Sequence, residues 1–84
     1  MATKKKRLDK LRNSPNNVSF DELGSVLEDH GFELDRVNGS HHVYEHEDLE
    51  DPIIIPRHGS KKVGAVYVKK VLAAIDKLGG TDAN

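Results

Sequence analysis

Apolar and polar positions change period twice along the chain. Phe20, Leu23, Val26, Leu27 and His30 recur at the three- and four-residue spacing of one helix face. Ser19 followed by Glu22 is a capping box, Val18 and Leu23 are placed to pack across it, and Gly31 offers a left-handed cap at the far end. Together these predict a helix over 20–30. Gly24 inside it costs about 1 kcal/mol relative to alanine, a cost that makes sense where another element packs closely.

From Phe32 the period drops to two. Phe32-Glu33-Leu34-Asp35-Arg36-Val37 alternates, Asn38-Gly39 is a strong hairpin signal, and Ser40 to His46 resumes the alternation. Ile53-Ile54-Ile55, fenced by Pro52 and Pro56, reads as an edge strand. After Gly64, Val68, Val71, Leu72, Ile75 and Leu78 return to helical spacing, and Gly79-Gly80 ends that helix. Ahead of the capping box, residues 4–12 read equally as a short helix with Leu8 and Leu11 on one side or as a frayed basic arm. Asn13-Ser14-Pro15-Asn16-Asn17 stops either. The predicted fold class is α+β, in the order α-β-β-β-α, with a three-stranded antiparallel sheet and two helices on one face. The predicted organisation is a basic arm or short helix over 1–17, a domain over 18–79 and a frayed tail over 80–84.

A two-residue turn at Asn38-Gly39 sets a register in which Arg36 faces His41, Asp35 faces His42, Leu34 faces Val43 and Glu33 faces Tyr44. Phe32, Leu34 and Val43 then form the core face. His41 and Arg36 sit on that side at the rim, and His42, Asp35, Tyr44 and Glu33 lie on the open face. A cation beside His41 disfavours its protonation and leaves it a base near neutral pH, whereas Asp35 opposite His42 favours the imidazolium.

The chain has 84 residues, a formal net charge of −1 and no cysteine. That excludes a disulfide scaffold, a thiol nucleophile and a cysteine zinc site, and is compatible with a reducing cytoplasm, the expected location. No apolar run approaches the ~20 residues of a membrane span, and no apolar segment follows the basic start as a signal peptide requires. The small net charge conceals a strong pattern. Residues 1–20 carry Lys4, Lys5, Lys6, Arg7, Lys10 and Arg12 against Asp9; residues 21–51 carry eleven acids against Arg36. Past Asp51, Arg57, Lys61, Lys62, Lys69, Lys70 and Lys77 outnumber Asp76 and Asp82. Basic ends of this kind suit a polyanion partner or a solvated surface. His42 and His46 would chelate a metal on a helix, but on a strand they lie ~13 Å apart, so no metal and no other cofactor is expected.

Gly39-Ser40-His41-His42-Val43-Tyr44 resembles the histidine motif of the HicA toxin family. Gly31-Phe32-Glu33 with Arg36, Ile55-Pro56-Arg57-His58 and Tyr67-Val68-Lys69-Lys70-Val71-Leu72 resemble the family's flanking blocks in order and spacing, so that the resemblance covers roughly residues 18–78. The chain departs from the family in being slightly acidic and in its basic N-terminal extension. The resemblance implies a fold like that of a double-stranded-RNA-binding domain. It also implies an mRNA interferase: a metal-free, translation-inhibiting endoribonuclease whose partners are mRNA and a HicB-like antitoxin. It places the catalytic histidine after Gly-Ser, at His41, with His42 in reserve. Ser40, His42, Tyr44, Arg57, His58, Lys61 and Lys62 are then expected to contact RNA. Tyr44 would stack on an unpaired base from the open face, and His58 or Lys61 would serve as acid or phosphate ligand.

Overall fold

The computed structural model describes residues 4–57, 59 and 62–79. The elements run α1 (Lys4–Asn13), α2 (Phe20–Asp29), β1 (Glu33–Asn38), β2 (His41–Glu45), β3 (Ile53–Pro56) and α3 (Ala65–Lys77). The strands form one antiparallel sheet in the order β1-β2-β3. The fold is α+β as predicted, with a further helix at its start.

α2 begins as its sequence requires. Ser19 Oγ accepts from the Glu22 N–H, and Glu22 Oε1 accepts from the Ser19 N–H. The helix closes one residue before its predicted end, with His30 as the cap and Gly31 following at φ +88°. α1 settles the alternative left open for residues 4–12. It is a helix whose Leu8 and Leu11 are buried in the same core as Val18, Leu23, Val26 and Leu27 of the α2 region and Val68, Val71 and Ile75 of α3. It packs against α2 and α3, while α3 also packs against β3. Three ion pairs hold it there. Arg7 grips Asp29 through two hydrogen bonds of 2.8 and 3.0 Å, Lys10 Nζ donates to Glu22, and Arg12 Nη2 donates to Asp76 at 2.7 Å. Arg7, Lys10 and Arg12 thus neutralise acids of α2 and α3, while Lys5 pairs with Asp9 inside α1.

The hairpin register differs from the predicted one by a residue. Asn38 pairs with His41, Val37 with His42, Arg36 with Val43 and Leu34 with Tyr44, with Asp35 bulged out between Leu34 and Arg36. The turn is therefore Gly39-Ser40, with Gly39 at φ +65°, a left-handed conformation open to glycine at the first turn position. A one-residue slip exchanges the faces of β2. Tyr44 points to the helices and is only 4% exposed, and Ile53 and Ile55 share that side through their pairing with Tyr44 and His42. Val43 faces the other way, buried between its partners Arg36 and Ile54 but outside the main core. The expected core face of Phe32, Leu34 and Val43 holds only for Phe32; Leu34 is 46% exposed. The physical reason is area. The side turned to the helices carries the tyrosine ring with Ile53 and Ile55, whereas the opposite side carries Val43 with Ile54 alone.

Gly24 explains the fit of the tyrosine. A Cβ at this position would stand 3.2 Å from the Tyr44 hydroxyl oxygen. Alanine there gains about 1 kcal/mol of helix propensity but forces the hydroxyl aside. We expect Gly24→Ala to bring no stability to the wild-type protein. In a Tyr44→Phe background it should raise stability by up to about 1 kcal/mol, giving a favourable coupling in a denaturant-measured double-mutant cycle.

Glu22 gives the pH dependence of the same region. The Lys10 hydrogen bond, followed by the Ser19 backbone N–H, holds its carboxyl below the usual carboxylate range. A depressed folded-state value contributes stability that is complete above the unfolded carboxylate range and is lost as pH falls through the folded value. Because both side chains are more than a third exposed, the effect is modest. Urea titrations from about pH 5 to pH 3 should show Glu22→Gln losing less stability to acid than the wild type.

Candidate functional site

β2 carries the two adjacent histidines, and alternation sends them to opposite faces. His41 is exposed on the face away from the helices, with Asn38 and Pro56 as its strand partners. His42 turns toward the helices, between Val37 of β1 and Ile55 of β3. The expected pairings of Arg36 with His41 and of Asp35 with His42 do not form, because the turn is centred one residue later. Arg36 Nη1 donates instead to Asp35 at 2.6 Å.

His42 is half-buried and held from two directions. Its Nδ1 lies 3.3 Å from the Ser40 carbonyl oxygen. A carbonyl only accepts, so this contact is a hydrogen bond when Nδ1 carries the proton, which leaves the lone pair of the neutral ring on Nε2. Its ring also packs against Phe20, the first residue of α2, with centroids 4.6 Å apart and planes tilted by 59°. The Ser40 carbonyl accepts a second hydrogen bond, from the Arg57 N–H at 2.8 Å. That bond fixes the chain where it leaves β3. The Arg57 guanidinium then lies over the Phe20 ring, 5.0 Å from its centroid. Asp21 Oδ1 is 3.9 Å from Arg57 Nη2, an ion-pair distance beyond hydrogen-bond reach. Val63 N–H donates to the Val18 carbonyl at 2.8 Å and brings the segment carrying exposed Lys62 beside the start of α2.

Of the residues expected to contact RNA, Ser40, His42 and Arg57 come together around Phe20. His58 and Lys61 lie outside the described residues. Tyr44 is corrected. It cannot stack on a base from the open face, because its ring is buried under α2, and that burial, with Glu28 and Asp21 nearby, raises its hydroxyl above the usual tyrosine value. Phe20 enters the sequence pattern only as the first position of the apolar face of α2. Its helical spacing with Leu23 and Leu27 carried no sign that its ring meets strand residues.

His46, the residue after β2, is used differently. Its Nε2 lies 3.1 Å from the His30 carbonyl and its Nδ1 accepts from the Asp48 N–H at 2.9 Å, while its ring packs edge-on against Phe32. Both nitrogens are thus engaged in joining the end of α2 to the end of β2, which makes His46 structural. Among the described residues, no three histidine or acidic side chains cluster as metal ligands do, and no helix is long and apolar enough to cross a membrane.

The comparisons with known proteins give one family. The model described as HicA toxin of bacterial toxin-antitoxin matches residues 20–77, which span α2 through α3 and include every residue gathered around Phe20. No curated protein and no solved structure matches the chain significantly. With its strand and helix order and its histidine hairpin inside a match over most of its length, the chain belongs to the HicA toxin family, the toxin side of a bacterial toxin–antitoxin pair.

Proposed function

We propose that this toxin is an endoribonuclease that cleaves mRNA without a metal, with His42 as its acid–base group. The observation that carries the reading is the Nδ1 contact of His42 with the Ser40 carbonyl, on the same carbonyl that anchors Arg57. RNA supplies its own nucleophile. His42 Nε2 would take the 2′-hydroxyl proton as that oxygen attacks the adjacent phosphorus, and the P–O5′ bond would break to leave a 2′,3′-cyclic phosphate. The departing 5′-oxygen needs a proton, for which His58 and Lys61 are candidates. Arg57 and Lys62 would stabilise the charge that builds on the phosphorane oxygens.

Among the described residues His41 has no ring packing or carbonyl contact like that of His42, and it stands exposed on the opposite face of the sheet. The base is therefore His42 in this reading, in place of the His41 expected after Gly-Ser. A HicB-like antitoxin would inhibit by covering the His42 face, and mRNA as substrate would place the protein in the cytoplasm. Family membership and the shared location of Ser40, His42 and Arg57 support these assignments.

RNA cleavage by the purified protein in EDTA provides the test. His42→Ala should lower the rate by on the order of 10²–10⁴-fold, the range for removing a general base, with cyclic phosphate ends on the wild-type products. His41→Ala should stay within a few-fold of wild type. If His41→Ala is the inactive variant and His42→Ala is active, the assignment is reversed. Salt-sensitive RNA binding by a folded wild-type protein that cleaves nothing would instead identify a non-catalytic RNA-binding module.

A further inference from the structure

The two groups on which the proposed chemistry relies come from different strands. His42 is on β2, and Arg57 immediately follows β3. Their backbones are linked through the Ser40 carbonyl, but that link does not orient the ends of the side chains. An imidazole on a strand still turns about χ1 and χ2, and its single 3.3 Å contact to Ser40 is long. A guanidinium four bonds from its backbone is freer still. The group that touches both is the Phe20 ring, 4.6 Å from the His42 ring and 5.0 Å from the Arg57 guanidinium carbon.

We propose that Phe20 is a positioning residue, whose ring holds the His42 imidazole and the Arg57 guanidinium in one place so that both reach a single phosphodiester. The inference rests on the endoribonuclease reading above and names the residue that assembles its site. Phe20 is well fixed for this role. It is half-buried against the core, and its backbone begins a helix locked by the reciprocal Ser19–Glu22 cap. An aromatic ring suits both neighbours, since its face attracts a cation and it packs favourably against a second ring at an angle. The alternative anchor for Arg57 is Asp21, whose carboxylate is exposed and 3.9 Å away. The ring therefore orients the guanidinium without a short ion pair that a substrate phosphate would have to displace.

The test compares Phe20→Leu, which keeps most of the apolar bulk, with Phe20→Tyr, which keeps the ring. Assays run below the unfolding temperature of both variants, and kcat is corrected for folded protein. Phe20→Leu should lower kcat by roughly 10- to 100-fold, the scale for displaced catalytic groups, while Phe20→Tyr stays within a few-fold of wild type. The NMR signals of the His42 ring should shift in Phe20→Leu, with loss of the Phe20 ring-current contribution and a changed balance between Nδ1–H and Nε2–H tautomers. Those of His46, which packs on Phe32, should not move. Wild-type kcat in Phe20→Leu, or unchanged His42 signals, overturns the inference. An inactive wild type defeats the nuclease reading instead, and a fully active His42→Ala defeats the choice of His42 as base; in either case the NMR comparison still decides whether Phe20 orients His42.

Discussion

Where the β1–β2 turn is centred decides what the rest of this molecule can do. A turn on Gly39-Ser40 sends Tyr44 under α2, places Ile53 and Ile55 beside it, and leaves His42 at the edge of the core against Phe20. A turn one residue earlier would put Tyr44 and His42 on the open face and turn His41 toward the helices. Two features allow the observed arrangement. Gly39 adopts the left-handed conformation at the head of the turn, and the bulge at Asp35 absorbs a residue in β1. Gly24 then leaves room for the tyrosine hydroxyl. The histidine of interest is oriented by the same packing that stabilises the fold, which links its geometry to the core.

Charge is arranged with the same economy. Part of the acidic middle of the sequence, Glu22 and Asp29, is neutralised by α1. Arg7, Lys10 and Arg12 pair with Asp29, Glu22 and Asp76. The basic N-terminal segment therefore acts as an internal counterion and adds Leu8 and Leu11 to a small core. Its helix lies outside the residues that match the family, 20–77, and its contacts show how a slightly acidic chain carries it. The Arg57 guanidinium lies over the same Phe20 ring that packs against His42, and its ion-pair distance to Asp21 is 3.9 Å.

The elements were legible where local chemistry decides them. The Ser19–Glu22 cap, the period-three-to-four apolar rows of α2 and α3 and the proline-fenced Ile53–Ile55 run all appear in the structure as read. The hairpin was legible but its register was not. Asn38-Gly39 and Gly39-Ser40 are both acceptable turns, and the choice depends on how much side-chain area each buries against helices far away in the sequence. The one-residue shift in register carries through the site. The expected register set Arg36 opposite His41, where Asn38 stands, set Asp35, which pairs with Arg36, opposite His42, and exposed a tyrosine that is buried. Phe20 is legible only as part of a helix face, because one-dimensional spacing does not show which strand residues meet it.

Each assignment at the site requires the imidazole of His42, and not that of His41, to lie against the Phe20 ring. Through-space NOEs between aromatic side chains in solution test this directly. The account predicts cross-peaks from the His42 ring protons to the Phe20 ring and none from His41, whose ring projects from the opposite face of the sheet. Cross-peaks from His41 to Phe20, with His42 showing none, would contradict it.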